Sequence, residues 1–516
     1  MTDQSEILRF LKDPGTHPGA PEVTEIQTHG AHVFLAGEMA LKIKRAVRYD
    51  YLDYSTLAAR EAALRRELEL NAPAAPTLYR DVIPVTREAD GRLALDGDGR
   101  PVEWVLRMVR FPDDDQLDRV AARGALDRAL AEALGARIAD YHAAAPLRRG
   151  PDGAGPLRDI LAELGREFAG MGDALPEKTV RDLLDRAAVE LENRAALLDA
   201  RASAGHVRRC HGDLHLSNIV LLDGVPHPFD ALEFSEALGT CDVLYDLAFL
   251  LMDLLHRGLG MAANAVLNSY VSRAGRPAHL DGLAALPLFL SVRAAISAMV
   301  AVQTARARGG DEDLPEQARR YLQESGTALH PVPPRLVAIG GLSGTGKTTL
   351  ARALAPALGR APGAVHLRSD VIRKALHGVD PLTRLPEDAY TPGMTAQVYA
   401  AMEDGARAAL AAGQSVIVDA VFLKPTERAS LATVADETGA TFAGLWLEAP
   451  EPVLLQRVTG RRGDASDADA RIVRMQTGLP RGALDWRSID ASGGAEATRT
   501  AACEALALSP DADGTP

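Results

Sequence analysis

Cysteine is scarce in this chain of 516 residues. The three cysteines, Cys210, Cys241 and Cys503, show no metal-type spacing and no pairing pattern. Small extracellular domains depend on disulfides, whereas isolated thiols suit a reducing cytosol. We therefore expect a cytoplasmic protein in which each cysteine is a small buried side chain.

Long apolar runs and a basic, apolar leader are also missing. The start, Met1 to Glu6, has no basic segment followed by an apolar stretch, which predicts no signal peptide. The apolar segment from 243 to 255 is broken by Asp246 and Asp253. We expect no association with a membrane.

An excess of positive charge is absent as well, since 57 Lys and Arg face 70 Asp and Glu. A net charge of -13 disfavours a protein that coats nucleic acid, for which a basic stripe is typical. Only seven of the cations are lysines, and Lys42, Lys44 and Lys347 fall where a compact ammonium would meet phosphate.

The length predicts two or three domains, because one hydrophobic core does not grow to this size. A β-rich segment spans about 22–111 and a mostly helical one about 112–325. The proline-rich stretch around His330 predicts a linker at 326–335. An α/β segment follows at 336–508, and 509–516 is predicted to be a disordered tail.

The predicted elements follow from periodicity. Two alternating runs flanking Gly37-Glu38 predict a hairpin of strands at 32–36 and 39–44. A helix is predicted over 55–71, with Ser55 as its N-cap. In the C-terminal segment, strands at 336–340, 365–367, 415–419 and 442–447 alternate with helices at 348–358, 394–412 and 452–460. This alternation predicts a parallel sheet covered on both faces.

One motif, His211-Gly-Asp-Leu-His-Leu-Ser-Asn218, has the spacing of a kinase-type catalytic loop. In such a loop an aspartate orients the acceptor hydroxyl, and an asparagine and a later aspartate hold the metal. Asp213, Asn218 and Asp230 supply these groups in order. His211 and His215 are predicted to brace the loop.

The upstream partners of this motif are less sharply defined. Lys42 is the candidate for the strand lysine that holds the phosphates, and Lys44, on the same strand face, is the alternative. Glu67 is the candidate partner of the lysine, and Glu61 is its alternative. A glycine-rich nucleotide loop is missing, which leaves a non-catalytic domain open.

This region resembles the aminoglycoside/choline-type phosphotransferase family, whose loop reads H-G-D-x-H-x-x-N. The resemblance implies a two-lobed, protein-kinase-like α+β domain over 1–325 that binds ATP. It also implies that Asp213 is the catalytic base, that Asn218 and Asp230 bind Mg2+, and that Asp246 supports the loop.

A second motif, Gly341-Leu-Ser-Gly-Thr-Gly-Lys-Thr348, is a Walker A loop between a predicted strand and helix. Its backbone amides and the helix N-terminus are suited to phosphate. Lys347 is expected to reach the β/γ-phosphates, and Thr348 to ligate Mg2+ with Asp419, the Walker B carboxylate. The predicted nucleotide-binding residues are Gly341, Ser343, Gly344, Thr345, Gly346, Lys347, Thr348 and Thr349.

Two further predictions concern the acceptor side of this motif. Asp370, at the end of the second strand, is the candidate base, and Arg373 is expected to hold an anionic substrate. The run from Arg457 to Arg462 resembles the arginine-bearing lid of small-molecule P-loop kinases. Arg461 is predicted to offset charge on the transferring phosphoryl group.

The C-terminal half thus resembles the gluconate-kinase, shikimate-kinase and zeta-toxin group of the P-loop NTPases, which have a three-layer α/β/α fold. The whole chain resembles a bacterial fusion of an aminoglycoside phosphotransferase-like domain with a P-loop kinase, sometimes described as an AAA family ATPase. This resemblance implies phosphoryl transfer from ATP. We therefore expect a bifunctional, ATP- and Mg2+-dependent kinase of small hydroxylated metabolites, with no nucleic acid and no obligate protein partner.

Two other functions stay open at this point. The chain could be a nucleotide-sensing regulator, in which the N-terminal domain is non-catalytic and the P-loop half is an ATPase switch. Phosphorylation of polynucleotide 5′-hydroxyls is disfavoured by the acidic balance.

Overall fold

The computed structural model describes residues 3–49, 52–307, 314–461 and 463–509. Apart from Ser509, the predicted tail at 509–516 lies outside the described residues, as does Arg462 of the arginine-bearing run.

The described residues form seventeen strands and nineteen α-helices. The strands are β1 Val23–Gln27, β2 Ala31–Ala36, β3 Met39–Lys44, β4 Arg48–Tyr49, β5 Leu52–Asp53, β6 Tyr79–Arg87, β7 Leu93–Leu95, β8 Arg100–Val109, β9 Val207–Arg209, β10 Ile219–Leu222, β11 Val225–Pro228, β12 Thr240–Asp242, β13 Arg335–Gly341, β14 Val365–Arg368, β15 Val416–Asp419, β16 Thr441–Glu448 and β17 Arg487–Asp490. The helices of the N-terminal part are α1 Ser5–Lys12, α2 Leu57–Asn71, α3 Leu117–Ala122, α4 Arg128–Ala144, α5 Gly155–Ala169, α6 Glu177–Ser203, α7 Glu236–Gly239, α8 Val243–His256, α9 Gly260–Ala274, α10 Arg276–Gly282, α11 Leu286–Ala307 and α12 Leu314–Ala328. The helices of the C-terminal part are α13 Lys347–Leu354, α14 Ser369–Leu376, α15 Pro392–Ala411, α16 Pro425–Thr438, α17 Glu451–Gly460, α18 Ala470–Thr477 and α19 Ala495–Leu506.

The chain divides into two compact units, and neither is continuous in sequence. The first comprises Met1–Gly150 and Ala202–Leu250, and the second comprises Pro151–Arg201 and Leu251–Pro516. Helix α12 ends at Ala328 and β13 begins at Arg335, inside the predicted linker of 326–335. The linker is not the boundary between the two compact units, and the domain bounds stay a prediction.

The first unit contains a six-stranded antiparallel sheet with the strand order β1-β2-β3-β8-β6-β7. The predicted hairpin is confirmed as β2 and β3. Helix α2 packs on β6 and β8 of this sheet, with Leu64 fully buried between them. The predicted N-cap was wrong by one residue, because the hydroxyl of Thr56, not Ser55, accepts from the Ala59 amide.

The second unit contains a five-stranded, all-parallel sheet with the order β14-β15-β13-β16-β17. The four predicted strands are confirmed as β13, β14, β15 and β16, whereas β17 was not predicted. Parallel strands bring their carboxyl ends to one edge of the sheet. Gly341, Arg368 and Asp419 end their strands at that edge, so it carries the P-loop site.

One helical stretch, His279–Ala307, is long and apolar, contrary to the expectation that such segments are missing. It has 29 residues and a mean hydropathy of 1.9 in its most apolar window, so it could cross a membrane by length and composition. However, 78% of that window is buried inside the protein. The helix therefore has the burial of a core helix in a soluble protein, and its apolar character is satisfied by packing.

Candidate active sites

The loop at 211–218 is anchored by a fully buried carboxylate, Asp246. Its Oδ1 accepts from the Gly212 amide at 2.8 Å, and its Oδ2 lies 3.2 Å from the His211 amide. His142 Nε2 lies 3.1 Å from the same Oδ2. These contacts fix the turn in which Gly212 has a φ of +82°, so Asp246 holds the backbone that presents Asp213.

His211 joins this loop to the segment of Asp230. Its Nδ1 lies 3.3 Å from the Asp213 amide, and its Nε2 lies 2.9 Å from the Phe229 carbonyl oxygen. The two contacts assign the neutral tautomer with the proton on Nε2, because Nδ1 must accept. Burial lowers the pKa of His211, which keeps the ring neutral.

The β10–β11 hairpin brings the two predicted metal ligands to one end. Ile219 pairs with Pro228, and the Phe229 amide donates to the Asn218 carbonyl at 3.0 Å, so Asn218 and Asp230 flank the same end of the ladder. The amide nitrogen of Asn218 donates to the Asp213 carboxylate at 2.9 Å. That contact leaves the amide oxygen of Asn218 and the carboxylate of Asp230 as oxygen donors of the kind Mg2+ binds.

The lysines of β3 form a buried chain of ion pairs with Glu67. Lys42 Nζ lies 2.7 Å from Glu67 and 2.6 Å from Asp230. Lys44 Nζ lies 2.6 Å from the other Glu67 oxygen and 2.6 Å from Glu233. Both lysines therefore meet the predicted glutamate, but Lys42 is the one that contacts the predicted metal ligand. Glu61 lies elsewhere, paired with Arg65 at 2.9 Å.

Asp230 is held as a carboxylate. Burial alone would raise its pKa, but the ammonium groups of Lys42 and Lys44 outweigh burial and lower the pKa to about 2. Its φ of +61° is a left-handed conformation that Tyr79 and Asn71 support, because they accept from the amides of Asp230 and Ala231. The anionic carboxylate is thus fixed in place before any cation arrives.

The acidic residues near this loop are engaged inside the protein. Glu233 binds Lys44 and accepts from the Tyr54 hydroxyl at 2.5 Å, and Glu236 pairs with Arg66 and Arg209. Asp242 accepts from the Leu244 amide at 2.8 Å. The charges of Glu233 and Glu236 are therefore compensated by Lys44, Arg66 and Arg209.

The Walker A loop in the second unit contains two glycines in a left-handed backbone conformation. Gly344 and Gly346 have φ values of +89° and +93°, in which side chains are disfavoured. The Ser343 amide donates to Gln476 Oε1 at 2.9 Å, and Lys347 Nζ donates to the Leu342 carbonyl at 3.0 Å. These partners occupy groups that a bound phosphate would take over.

Thr348 and Asp419 form the predicted metal pair. Thr348 Oγ1 donates to Asp419 Oδ2 at 2.5 Å, and His366 Nε2 lies 3.4 Å from the same oxygen. Burial alone would raise the pKa of Asp419, but His366, Lys347 and Arg368 lower it to about 2. A hydroxyl beside an ionised carboxylate is an oxygen pair that fits Mg2+.

Thr348 and Asp419 line a cavity of about 770 Å³ together with Arg368, Asp370 and Arg461. Among the described residues, Arg461 Nη1 and Arg368 Nε are buried donors without a hydrogen-bond partner. Arg461 Nη1 lies 3.7 Å from Asp464 Oδ1 but makes no hydrogen bond to it, and an anion in the cavity would give both nitrogens an acceptor. The residues present therefore fit a nucleotide with Mg2+ in this cavity.

Asp370 lies at the start of α14 and faces the same cavity. Burial raises its pKa, and the charge of Asp419 adds to the effect, although Arg368 and Lys347 oppose it. Arg373 also lines the cavity, where it donates to the Ala389 carbonyl and lies over the Tyr390 ring at 4.8 Å. A carboxylate with a raised pKa is a suitable acceptor for a substrate proton.

The arginine-bearing run divides in the structure. Helix α17 ends at Gly460, so Arg461 follows the helix and does not share a helical face with Arg457. Arg457 donates to the carbonyls of Ala491 and Gly493 and holds the loop after β17. The expectation that Arg457 acts with Arg461 in a lid was wrong.

Three residues that matter here were missed by sequence reasoning. His366 and Arg368 lie on β14, and Asp464 accepts from Arg368 at 2.6 Å and lies 3.7 Å from Arg461. The alternation of His366 and Arg368 along one strand was an available signal, since polar side chains at i and i+2 share a face.

Two family descriptions match the chain. Residues 33–286 match the phosphotransferase enzyme family, and residues 336–479 match an AAA domain. The chain is a fusion of an aminoglycoside phosphotransferase-like domain and a P-loop kinase-like domain. The predicted fold classes, kinase-like in the N-terminal part and P-loop α/β in the C-terminal part, are thereby confirmed.

The fusion has relatives of similar length. An uncharacterized protein of Mycobacterium tuberculosis is 29% identical over 462 residues, which cover 88% of this chain and 89% of the relative.

Solved structures align with parts of the chain. A gluconokinase from Sinorhizobium meliloti aligns with 34% of this chain and 94% of its own, at 24% identity and a TM-score of 0.24. A choline/ethanolamine kinase family protein from Mesorhizobium loti aligns with 63% and 95%, at 15% identity and a TM-score of 0.40.

The two kinase-type domains imply use of ATP and of a divalent metal. The roles assigned to individual residues stay predictions.

Proposed function

We propose that the protein is a bifunctional ATP-dependent kinase that phosphorylates hydroxyl groups of small metabolites at two sites. The observation that carries the proposal is the P-loop cavity. Its lining includes Thr348 and Asp419, the predicted base Asp370, and the side chains of Arg368 and Arg461. A switch ATPase needs only water as acceptor, whereas a predicted base and two arginines beside the predicted metal pair favour transfer to an acceptor hydroxyl.

In the P-loop site, Lys347 and the loop amides bind the β/γ-phosphates, and Thr348 and Asp419 hold Mg2+. The metal, when bound, neutralises charge on the phosphates. Asp370 takes the proton of the acceptor hydroxyl. Arg461 donates to the transferring phosphoryl group and offsets its developing charge.

In the N-terminal site, Asp213 accepts the acceptor's proton, while Asn218 and Asp230 hold Mg2+. Lys42 binds the α/β-phosphates and is oriented by Glu67, 2.7 Å away. The acceptors are small hydroxylated molecules, with no nucleic acid, membrane or obligate protein partner required. The proposed location is the cytoplasm.

The test is phosphate transfer by the full-length protein from labelled ATP to a metabolite extract. The wild type is compared with Asp213→Ala and with Lys347→Ala. The proposal expects two sets of phosphorylated products, one lost in each variant. ADP release that needs no acceptor, with no product in any extract, would instead support the nucleotide-sensing regulator.

A further inference from the structure

The strand that carries part of the P-loop site is an edge strand. β14 lies at the end of the five-stranded sheet, so one side of its backbone has no strand partner. An edge strand that bears functional groups needs another element to hold its backbone. His366 and Arg368 lie on β14, and Asp370 follows it.

Helix α9, which precedes the predicted linker in the sequence, supplies that element within the second unit. Asn268 Oδ1 accepts from the His366 amide at 2.7 Å, and Asn268 Nδ2 donates to the Ala364 carbonyl at 3.1 Å. A neighbouring parallel strand would bond the same two backbone groups, the carbonyl of one residue and the amide two residues on. The side-chain amide of Asn268 therefore takes the place of a missing strand.

A second asparagine, one helical turn earlier, fixes the first. Asn264 is 2% exposed, donates to the Ala364 carbonyl at 3.1 Å, and accepts from Asn268 Nδ2 at 3.1 Å. Residues at i and i+4 lie side by side on a helix, so the two amides orient each other. A Cβ atom at Gly363 would lie 2.3 Å from the Ala355 carbonyl oxygen and 2.9 Å from Asn264 Nδ2, so the backbone before β14 is closely packed here.

The backbone that Asn268 contacts carries a side chain that lies next to a predicted metal ligand. The backbone that Asn268 holds belongs to His366, whose Nε2 lies 3.4 Å from Asp419 Oδ2. Asp419 in turn accepts from Thr348. A shift of the β14 backbone would therefore move the imidazole that stands beside the metal-binding carboxylate.

We propose that Asn264 and Asn268 of α9 are positioning residues of the P-loop site, which set the Mg2+ affinity of that site through His366 and Asp419. The inference rests on the proposed function of this cavity as a site for Mg2+ and nucleotide. The kinase-like domain's helical segment is then a structural part of the P-loop enzyme.

The test uses the full-length protein and Mg·AMP-PNP, with amide hydrogen exchange of peptides covering 341–349 as a readout local to this site. Asn268→Leu keeps a similar side-chain volume but loses both backbone contacts. The Mg2+ concentration for half-maximal protection at saturating AMP-PNP should rise at least about fivefold, because two backbone hydrogen bonds are lost and one alone is worth about that factor. Protection by AMP-PNP without Mg2+ should not change, which a general loss of structure would not allow.

Two further variants complete the design. Asn268→Asp retains the acceptor for the His366 amide and loses the donor to Ala364. It should therefore give a smaller rise in the Mg2+ concentration for half-maximal protection. This variant tests the proposal if Asn268→Leu does not fold. Met261→Ala, an exposed position on the same helix, should behave as the wild type. Equal Mg2+ dependence in the wild type and the folded Asn268 variants overturns this inference alone. A wild type without any protection of 341–349 overturns the proposed function of the cavity and the inference with it.

Discussion

At the scale of single residues, the two lysines of β3 have separable roles although both bind Glu67. Lys42 also reaches Asp230, whereas Lys44 reaches Glu233 on the other side. We predict that Lys42→Met lowers the affinity of the N-terminal site for ATP at least about tenfold, because a charged contact to phosphate is lost. Lys44→Met should leave that affinity nearly unchanged.

Both lysine variants should lower the free energy of unfolding by about 3 kcal/mol, since each leaves a buried carboxylate with one cation fewer. ATP titration and urea unfolding of the two proteins measure these effects. Glu61→Gln is the matched control, because its exposed pair with Arg65 should contribute about 0.5 kcal/mol or less. A loss of ATP affinity in Lys44→Met as large as in Lys42→Met would assign the phosphate contact to the wrong lysine.

The proposed role of Asp370 as the base predicts how the P-loop site responds to pH. A base works only when ionised, and burial raises the pKa of this carboxyl above its ordinary value of 3.8. The rate should therefore fall as the pH drops through the raised pKa, at a higher pH than for an exposed aspartate. The measurement is the pH profile of kcat/KM for the acceptor.

The variant that checks this prediction is Asp370→Asn. It should lower kcat/KM about 100- to 10,000-fold, the usual contribution of a general base, and should remove the acidic limb. An unchanged acidic limb in Asp370→Asn would show that another group titrates.

At the scale of elements, the Walker A loop contains two glycines with the same backbone conformation and different surroundings. A Cβ atom at Gly344 would lie 2.8 Å from the Leu454 carbonyl oxygen, whereas one at Gly346 would meet nothing within 4 Å. Alanine at either position costs about 1–2 kcal/mol for the left-handed conformation. Gly344→Ala adds a clash with the α17 backbone, so its Tm should fall further than that of Gly346→Ala. Similar Tm values for the two variants in differential scanning calorimetry would contradict this reading of the loop.

Elements with strong local signals could be predicted from the sequence, and their partners could not. The β2–β3 hairpin follows from alternation around Gly37, and the P-loop strand and helix follow from the spacing of Gly341 and Lys347. The role of Asn268 has no such signal, because an asparagine on a helix usually faces solvent. Its backbone partners, Ala364 and His366, lie 96 and 98 residues away in sequence, and only the packed fold brings them together.

The same limit explains the error at Arg457. Its position in an arginine-rich run favoured a role at the phosphates, but α17 ends one residue before Arg461 and directs Arg457 to the loop after β17. The predicted end of this helix at Gly460 is correct, but the sequence does not show which backbone groups a side chain near a helix end will contact.

At the scale of the whole molecule, the two compact units do not correspond to the order of the domains along the sequence. Helices α9 to α11 precede the predicted linker, yet they belong to the unit that contains the P-loop sheet. Asn264 is joined to Ala364, and α10 packs on α15. The phosphotransferase-like half thus contributes part of the packing of its neighbour.

This arrangement predicts how the protein unfolds. Elements in one cooperative unit lose amide protection together. In native-state hydrogen exchange at increasing guanidinium concentration, α9 and α11 should lose protection with β13 and β15 of the second unit. Strands β2 and β3 of the first unit should follow a separate transition. In Lys42→Met, only the P-loop site should bind Mg·ATP tightly. Saturating Mg·ATP should then shift the unfolding transition of α9 together with that of β13, because a ligand stabilises every element of the unit that binds it. Loss of α9 protection together with β2 and β3, unaffected by the nucleotide, would place this helix in the other unit.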